Sequence, residues 1–301
     1  MKRLFPMLNR MFPMLTTLAM LLAASVPAFS QAPTFSVVDD AGRTVVLAGK
    51  PRRIVSIAPG ATEMLFVAGA GDRVIATVEF SDEPAAAKLV TRIGDANAID
   101  VERVVALRPD VVVVWEGGSN PAQVSQLERL KIPLYRHKVE KLADIPVALR
   151  RLGTLTGTED IATKAAADLE ARLAKLRQLY GGKSGPTVLL EVWNRPIYTV
   201  GGSHMMTDSL RLCGARNVFA DLKEQGPSVD MEAVIGRDPA IIVAVAPPGV
   251  AAEWLDEWRR FTTMTAVKTG RLIAFEDVRL SRLGPSALGG TEALCKAINE
   301  P

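Results

Sequence analysis

Histidine and cysteine are almost absent from this chain, with two of each in 301 residues. His137 and His204 stand 67 positions apart, so neither an H-E-x-x-H pair nor a four-ligand zinc spacing can form, and no C-x-x-C pair occurs. There is no G-x-S-x-G turn to present a nucleophilic serine and no G-x-x-x-x-G-K-[ST] loop to cradle a phosphate. Gly69-Ala70-Gly71 lacks the third glycine of a dinucleotide fingerprint, and it ends a helical run instead of opening one. Carboxylates are plentiful, but spacing alone pairs none of them with a nucleophile or a base. The chain is therefore not expected to be an enzyme, to carry a cofactor or to hold a resident metal.

Charge of one sign is lacking too. The formal net charge of +3 comes from the N-terminus, where Lys2, Arg3 and Arg10 have no acidic neighbour before residue 31. Without those three of the 36 basic residues, the remainder balance the 33 acids, and nucleic-acid binding has no compositional support. The basic start, the apolar run LTTLAMLLAA (15–24) and the small residues of Ala28-Phe29-Ser30 read as a secretory signal over residues 1–30. No cysteine lies nearby to take a lipid, so a free periplasmic protein is expected. Elsewhere no apolar run is long enough to cross a bilayer. In an exported chain, Cys213 and Cys295 can form a disulfide or remain as two buried thiols. A bridge would close a loop of about 80 residues, worth ~4 kcal/mol in a loop-entropy picture.

The rest is strand and helix in alternation. TFSVVDDAGRTVVLAGKP (34–51) reads as a hairpin turning at Ala41-Gly42. Apolar strands and helical runs then alternate to Lys138, the signature of an α/β lobe. From about Ile145 to Tyr180 the rhythm is helical with no strand break, and a helix over 158–180 would be ~35 Å long. Strand and helix alternation resumes at PTVLLEVW (186–193) and ends in a helix over 285–299. The expected fold is α/β: two lobes with mostly parallel sheets, 31–150 and 184–301, bridged by one long helix within 151–183.

One sentence is written twice. DVERVVALRPDVVVVW (100–115) and DMEAVIGRDPAIIVA (230–244) share an Asp, a Glu two places on, an apolar helical run, a Pro stop and a strand apolar on both faces. The offset is 130 residues, and Glu102 and Glu232 take the same place in each copy.

Aromatic residues make up only 5% of the chain, yet several sit just after expected strands: Phe80, Trp115, Trp193 and, shortly after, Tyr198. Ligands of α/β sheets gather at the carboxyl ends of strands, and flat aromatic walls there suit a large, partly apolar ligand. His204, in VGGSHMMTD after a glycine pair, either ligates the metal of a bound complex or merely caps or lines its loop.

RRIVSIAPGATEMLFVAGAGDRVIATVEFSDEP, followed by IDVERVVALRPDVVVVW, resembles the periplasmic binding proteins of ABC transporters for metal chelates, a family that includes cobalamin, haem and iron-siderophore receptors. The resemblance covers about residues 35–299. It implies two α/β lobes joined by a rigid helix, a ligand held in the cleft between them, and only modest lobe motion. ERVVALRPDVVVVWEGG and SLRLCGARNVFAD are most similar to the cobalamin-binding members, whose paired cysteines fall at Cys213 and Cys295. The resemblance further implies that Glu102 and Glu232 dock onto an inner-membrane permease, that Trp115 is a pocket tryptophan, and that Phe80 and Tyr198 stand at or near pocket aromatics. Ala96 and Gly226 occupy the places of two further pocket tryptophans, with Trp193 positioned to compensate. The expectation is a monomeric receptor that captures a corrinoid (cobalamin) through Phe80, Trp115, Trp193, Tyr198, Ser203, His204 and Arg282, with Arg195 nearby, and delivers it to an ABC importer. Haem or a ferric siderophore, with His204 or Tyr198 on the iron, is the alternative cargo.

Overall fold

The computed structural model describes residues 34–95, 98–182 and 185–300. The expected signal segment 1–30 and Ala96 lie outside the described residues. The hairpin forms first, from β1 (Phe35–Val38) and β2 (Thr44–Leu47). Asp39 closes its turn by accepting the backbone N–H groups of Ala41 and Arg43 at 3.0 and 2.8 Å.

A parallel sheet follows, built from β3 (Ile54–Ser56), α1 (Pro59–Val67), β4 (Val74–Thr77), β5 (Thr91–Arg92), α2 (Val101–Ala106), β6 (Val111–Trp115), α3 (Pro121–Arg129) and β7 (Leu134–His137). Its strand order is β5-β4-β3-β6-β7. The apolar run of β6 is there because both faces of the sheet are covered. Val111 and Val113 enter one core cluster, and Val112 and Val114 enter another on the opposite face.

Next come α4 (Asp144–Thr156) and α5 (Glu159–Tyr180). The long helix expected over 158–180 is α5, while the start of the 151–183 segment belongs to α4. Residues 151–156 complete α4, which Gly157 ends in the left-handed region at φ +71°, as only a glycine does without strain. The 22 residues of α5 span ~33 Å. Its buried stripe is Ala162, Ala166, Leu169, Leu173 and Leu176, at helical spacing.

The second parallel sheet, ordered β10-β8-β12-β13, collects β8 (Thr187–Glu191), β9 (Ile197–Tyr198), α6 (Met205–Leu212), β10 (Arg216–Asn217), β11 (Ser228–Val229), α7 (Met231–Arg237), β12 (Ile241–Val245), α8 (Val250–Trp258), α9 (Thr265–Lys268), β13 (Leu272–Phe275) and α10 (Ser286–Asn299). Strands β9 and β11 pair antiparallel outside that sheet. A disulfide joins Cys213, just past α6, to Cys295 in α10.

The main core cluster crosses the whole unit. It contains Val111 and Val113 of the first sheet, Val188, Leu190, Ile241 and Val243 of the second, and the buried stripe of α5 between them. Helix α5 packs on α1 and α4 toward the first sheet and on α6 and α10 toward the second. One continuous core therefore holds both sheets, since interiors of this density do not yield easily.

Candidate functional site: a cavity between the two sheets

A cavity of about 480 Å³ opens between the lobes, and loops at the carboxyl ends of the first sheet's strands supply most of its wall. The first lobe gives Ala58 to Ala61, Glu63, Phe80, Asp82, Trp115 and His137; the second gives Val278 and Ser281 to Leu283.

Phe80 is 76% exposed and adopts φ +63°, a region that a bulky side chain enters only when its surroundings force it. A buried hydroxyl chain supplies the force. Thr62 Oγ1 donates to Ser56 Oγ at 2.8 Å and lies 2.7 Å from Thr77 Oγ1, which donates to Ser81 Oγ at 2.9 Å. Arg92 ties down the same turn by donating to the Ser81 carbonyl at 2.9 Å. Phe80 is thereby pinned from both sides, three residues beyond the end of β4. Trp115, the last residue of β6, is held through its own backbone: its N–H donates to Ser119 Oγ at 2.9 Å. In the β6–β7 register Trp115 lies beside His137, so the two side chains share a face of the sheet.

The lobes close on each other at the cavity wall. Glu63 of α1 accepts the Ser286 backbone N–H at 2.6 Å and its hydroxyl at 2.8 Å, capping the start of α10 from the other lobe. Gly60 presses so closely on the Leu283 carbonyl that a Cβ there would overlap it. Burial pushes the Glu63 carboxyl above its ordinary value, against the Ser286 hydrogen bonds and the Arg282 charge that pull it down. The Arg282 guanidinium itself makes no hydrogen bond or ion pair with a described residue, so it remains a cation available to a ligand.

Of the residues singled out from the sequence, Phe80, Trp115 and Arg282 meet in this cavity. The others do not line it. Trp193, 57% exposed, lines a second pocket of about 400 Å³ with Asn194, Arg195, Val250, Glu253, Trp254 and Glu257. Its ring stands edge-on to Trp254 at 6.1 Å, and Arg195 is ion-paired with Glu257. Tyr198 is bridged to Trp193 through the backbone, so these two aromatics share one exposed face of the second lobe. With Phe80 they are the exposed aromatics among the described residues. Ser203 is exposed and accepts from Gln225 at 3.0 Å. His204 is the N-cap of α6: its Nδ1 accepts the Met206 N–H at 3.1 Å, and burial lowers its pKa to about 4. Gly226 lies in an exposed loop with open space where a side chain would project. Among the described residues no group of three or more His, Cys, Asp or Glu is arranged to hold a metal ion, and no helix is long and apolar enough to cross a membrane.

Glu63, Asp82, His137 and Ser281 are cavity residues that sequence reasoning did not assign. His137 carried a usable signal, because it lies near the carboxyl end of the strand expected over 132–138. Its place beside Trp115 depends on register, which the sequence does not show.

Two parallel sheets covered on both faces, a linking helix packed against both lobes and a cavity walled by both define a two-lobed architecture with an interlobe site. A family model described as periplasmic binding protein matches residues 54–278, and the chain belongs to that family. It is 30% identical over 250 residues to a vitamin B12-binding protein of Pectobacterium carotovorum, covering 82% of this chain and 88% of that one. Among solved structures it is similar to the periplasmic vitamin B12 binding protein BtuF of Vibrio cholerae, with a TM-score of 0.76, 28% identity and coverage of 83% and 97%. A periplasmic haem-binding protein from Roseiflexus shares the fold at a TM-score of 0.70 and 22% identity, covering 82% of this chain and 97% of that one.

Proposed function

We propose that this chain is a non-enzymatic, monomeric periplasmic receptor that captures a corrinoid, cobalamin, and delivers it to an ABC importer of the inner membrane. The observation that carries the reading is the interlobe cavity: an apolar cleft with Phe80 and Trp115 fixed on one side and the free Arg282 cation on the other. Flat rings suit a large macrocycle, and burying each one contributes ~1.5–3 kcal/mol. Trp193 and Tyr198 extend the aromatic surface on the second lobe, and the open space at Gly226 leaves room for bulky cargo. The similarity to vitamin B12-binding proteins over more than four-fifths of the chain supports cobalamin over other chelates. The core shared by both sheets supports capture with little lobe motion.

Delivery would use Glu102 and Glu232. Each is exposed in the first turn of its helix, behind an Asp N-cap. A helix that leads into a parallel strand begins at the strands' carboxyl ends, so each glutamate stands on the cleft side of its own sheet. Calorimetric titration with cyanocobalamin and with haemin tests the cargo. Micromolar or tighter binding of cyanocobalamin is expected; binding of haemin alone would replace the corrinoid with haem.

A further inference from the structure

The cavity contains a polar atom that the chain itself leaves unsatisfied. His137 ends β7, lines the cavity and is 2% exposed. Its Nδ1 lies 2.9 Å from Asp40 Oδ2. The Asp40 side chain is buried as well, and it accepts from the Lys138 N–H at 3.1 Å, the Arg151 guanidinium at 3.1 Å and the Tyr135 hydroxyl at 3.3 Å. Burial alone would raise the Asp40 pKa; the hydrogen bonds from His137, the Lys138 N–H and Arg151 pull it down, and the carboxyl lies below its ordinary value. A carboxylate only accepts, so the proton of the neutral ring belongs on Nδ1 and a lone pair is left on Nε2. That Nε2 is buried and has no hydrogen-bond partner. Buried polar atoms are rarely left this way, and an exception calls for an explanation.

We infer that His137 Nε2 is the acceptor for an N–H of the cargo, a primary carboxamide at the rim of the corrinoid. This rests on the cobalamin reading and adds a directed polar contact to it. The chemistry favours an amide arm over the metal centre. Nε2 is covered within the wall next to Trp115, so the face of a rigid macrocycle cannot meet it, whereas a slender side arm would do so by displacing the side chains that cover it. Asp40 acts as a positioning residue that fixes the tautomer and the ring plane, as carboxylates do for histidines elsewhere.

The cargo can be edited as readily as the protein. Cyanocobalamin and its monocarboxylic acids, each with one peripheral amide converted to a carboxylate, are titrated at pH 8 against the wild type, His137→Leu and His137→Gln. A carboxylate has no N–H to offer and sets its charge against the lone pair. One of the acids is expected to bind the wild type at least 10-fold more weakly than the parent. His137→Leu should weaken cyanocobalamin about 5- to 30-fold and erase the discrimination, while His137→Gln, which restores an acceptor, recovers part of both. Equal binding of all the acids to the wild type overturns the inference without any variant. So does unchanged affinity in His137→Leu, or a His137-dependent shift of the cobalt absorption bands with aquocobalamin, which would place Nε2 on the metal. If the wild type binds no corrinoid at all, the cargo assignment fails first and this contact falls with it.

Discussion

The two copies of the D-x-E sentence build the same object until the last residue. In each, an exposed Asp caps a short helix, accepting the Arg103 N–H at 2.9 Å in the first copy and the Ala233 N–H at 2.7 Å in the second. In each, a non-glycine residue in the left-handed region ends the helix just before the proline: Arg108 at φ +46° and Asp238 at φ +41°. The strands that follow, β6 and β12, are central in their sheets and buried on both faces. Then they part. Trp115 emerges half-buried into the interlobe cavity, whereas Val245 at the same place is 6% exposed and belongs to the main core. The two units thus share the exposed acid in the first turn of the helix and differ where the strand meets the cleft.

Breaking the shared part should have the largest effect. Glu102→Ala with Glu232→Ala is expected to abolish stimulation of the cognate importer's ATPase and leave cobalamin affinity unchanged. Each single variant should lose part of the stimulation, because each removes one of two equivalent contacts. Stimulation at the wild-type level in the double variant would reduce the repeat to architecture.

Breaking the part that differs should separate binding from stability. Trp115→Ala removes a cavity wall, and with ~1.5–3 kcal/mol of aromatic burial at stake the affinity for cobalamin should fall about 10- to 150-fold. Its unfolding midpoint should move little, since the ring is only partly buried. Val245→Ala should do the reverse, costing roughly 2 kcal/mol of stability through a lost pair of methyl groups and their cavity. Titration and urea denaturation of both variants measure the split, and parallel losses in both would erase the distinction between the copies.

The pattern of buried strands explains why the fold was so legible. A run such as VVVVW admits only a strand covered on both sides, so two such runs and a strand-free helical stretch between them sufficed for two sheets and a linking helix. The long helix was legible to within a residue at its start, 158 against Glu159, whereas the extent of α4 was not, because α4 and α5 share one apolar rhythm and the break depends on the conformation of Gly157. The site was legible only where a residue's place along a strand decided its role, as for Phe80 and Trp115. Glu63 reaches the interlobe wall through a contact with Ser286, 223 positions away, and no local pattern encodes that. Tyr198 and His204 show the opposite failure. His204 follows a glycine pair as a ligand loop would and Tyr198 closely follows an expected strand, yet Tyr198 lies in β9 and faces outward beside Trp193, and the His204 imidazole is committed to a helix cap.

The smallest effect tests whether the copies are energetically as well as geometrically alike. Asp100 and Asp230 are both exposed, each caps its helix through one hydrogen bond, and helices of six and seven residues have little else to hold their first turn. Asp→Ala at an N-cap costs about 1 kcal/mol. Asp100→Ala and Asp230→Ala should therefore lower stability by the same amount to within ~0.5 kcal/mol, and the double variant should show their sum, because distant sites add. Urea midpoints at constant slope measure all three. A cost confined to one copy would mean that the first turn of the other helix is held by its lobe and not by its cap. In that case the glutamate at the second position of that helix would keep its place after the cap is removed, and the two acids proposed for docking would differ in how firmly the fold presents them.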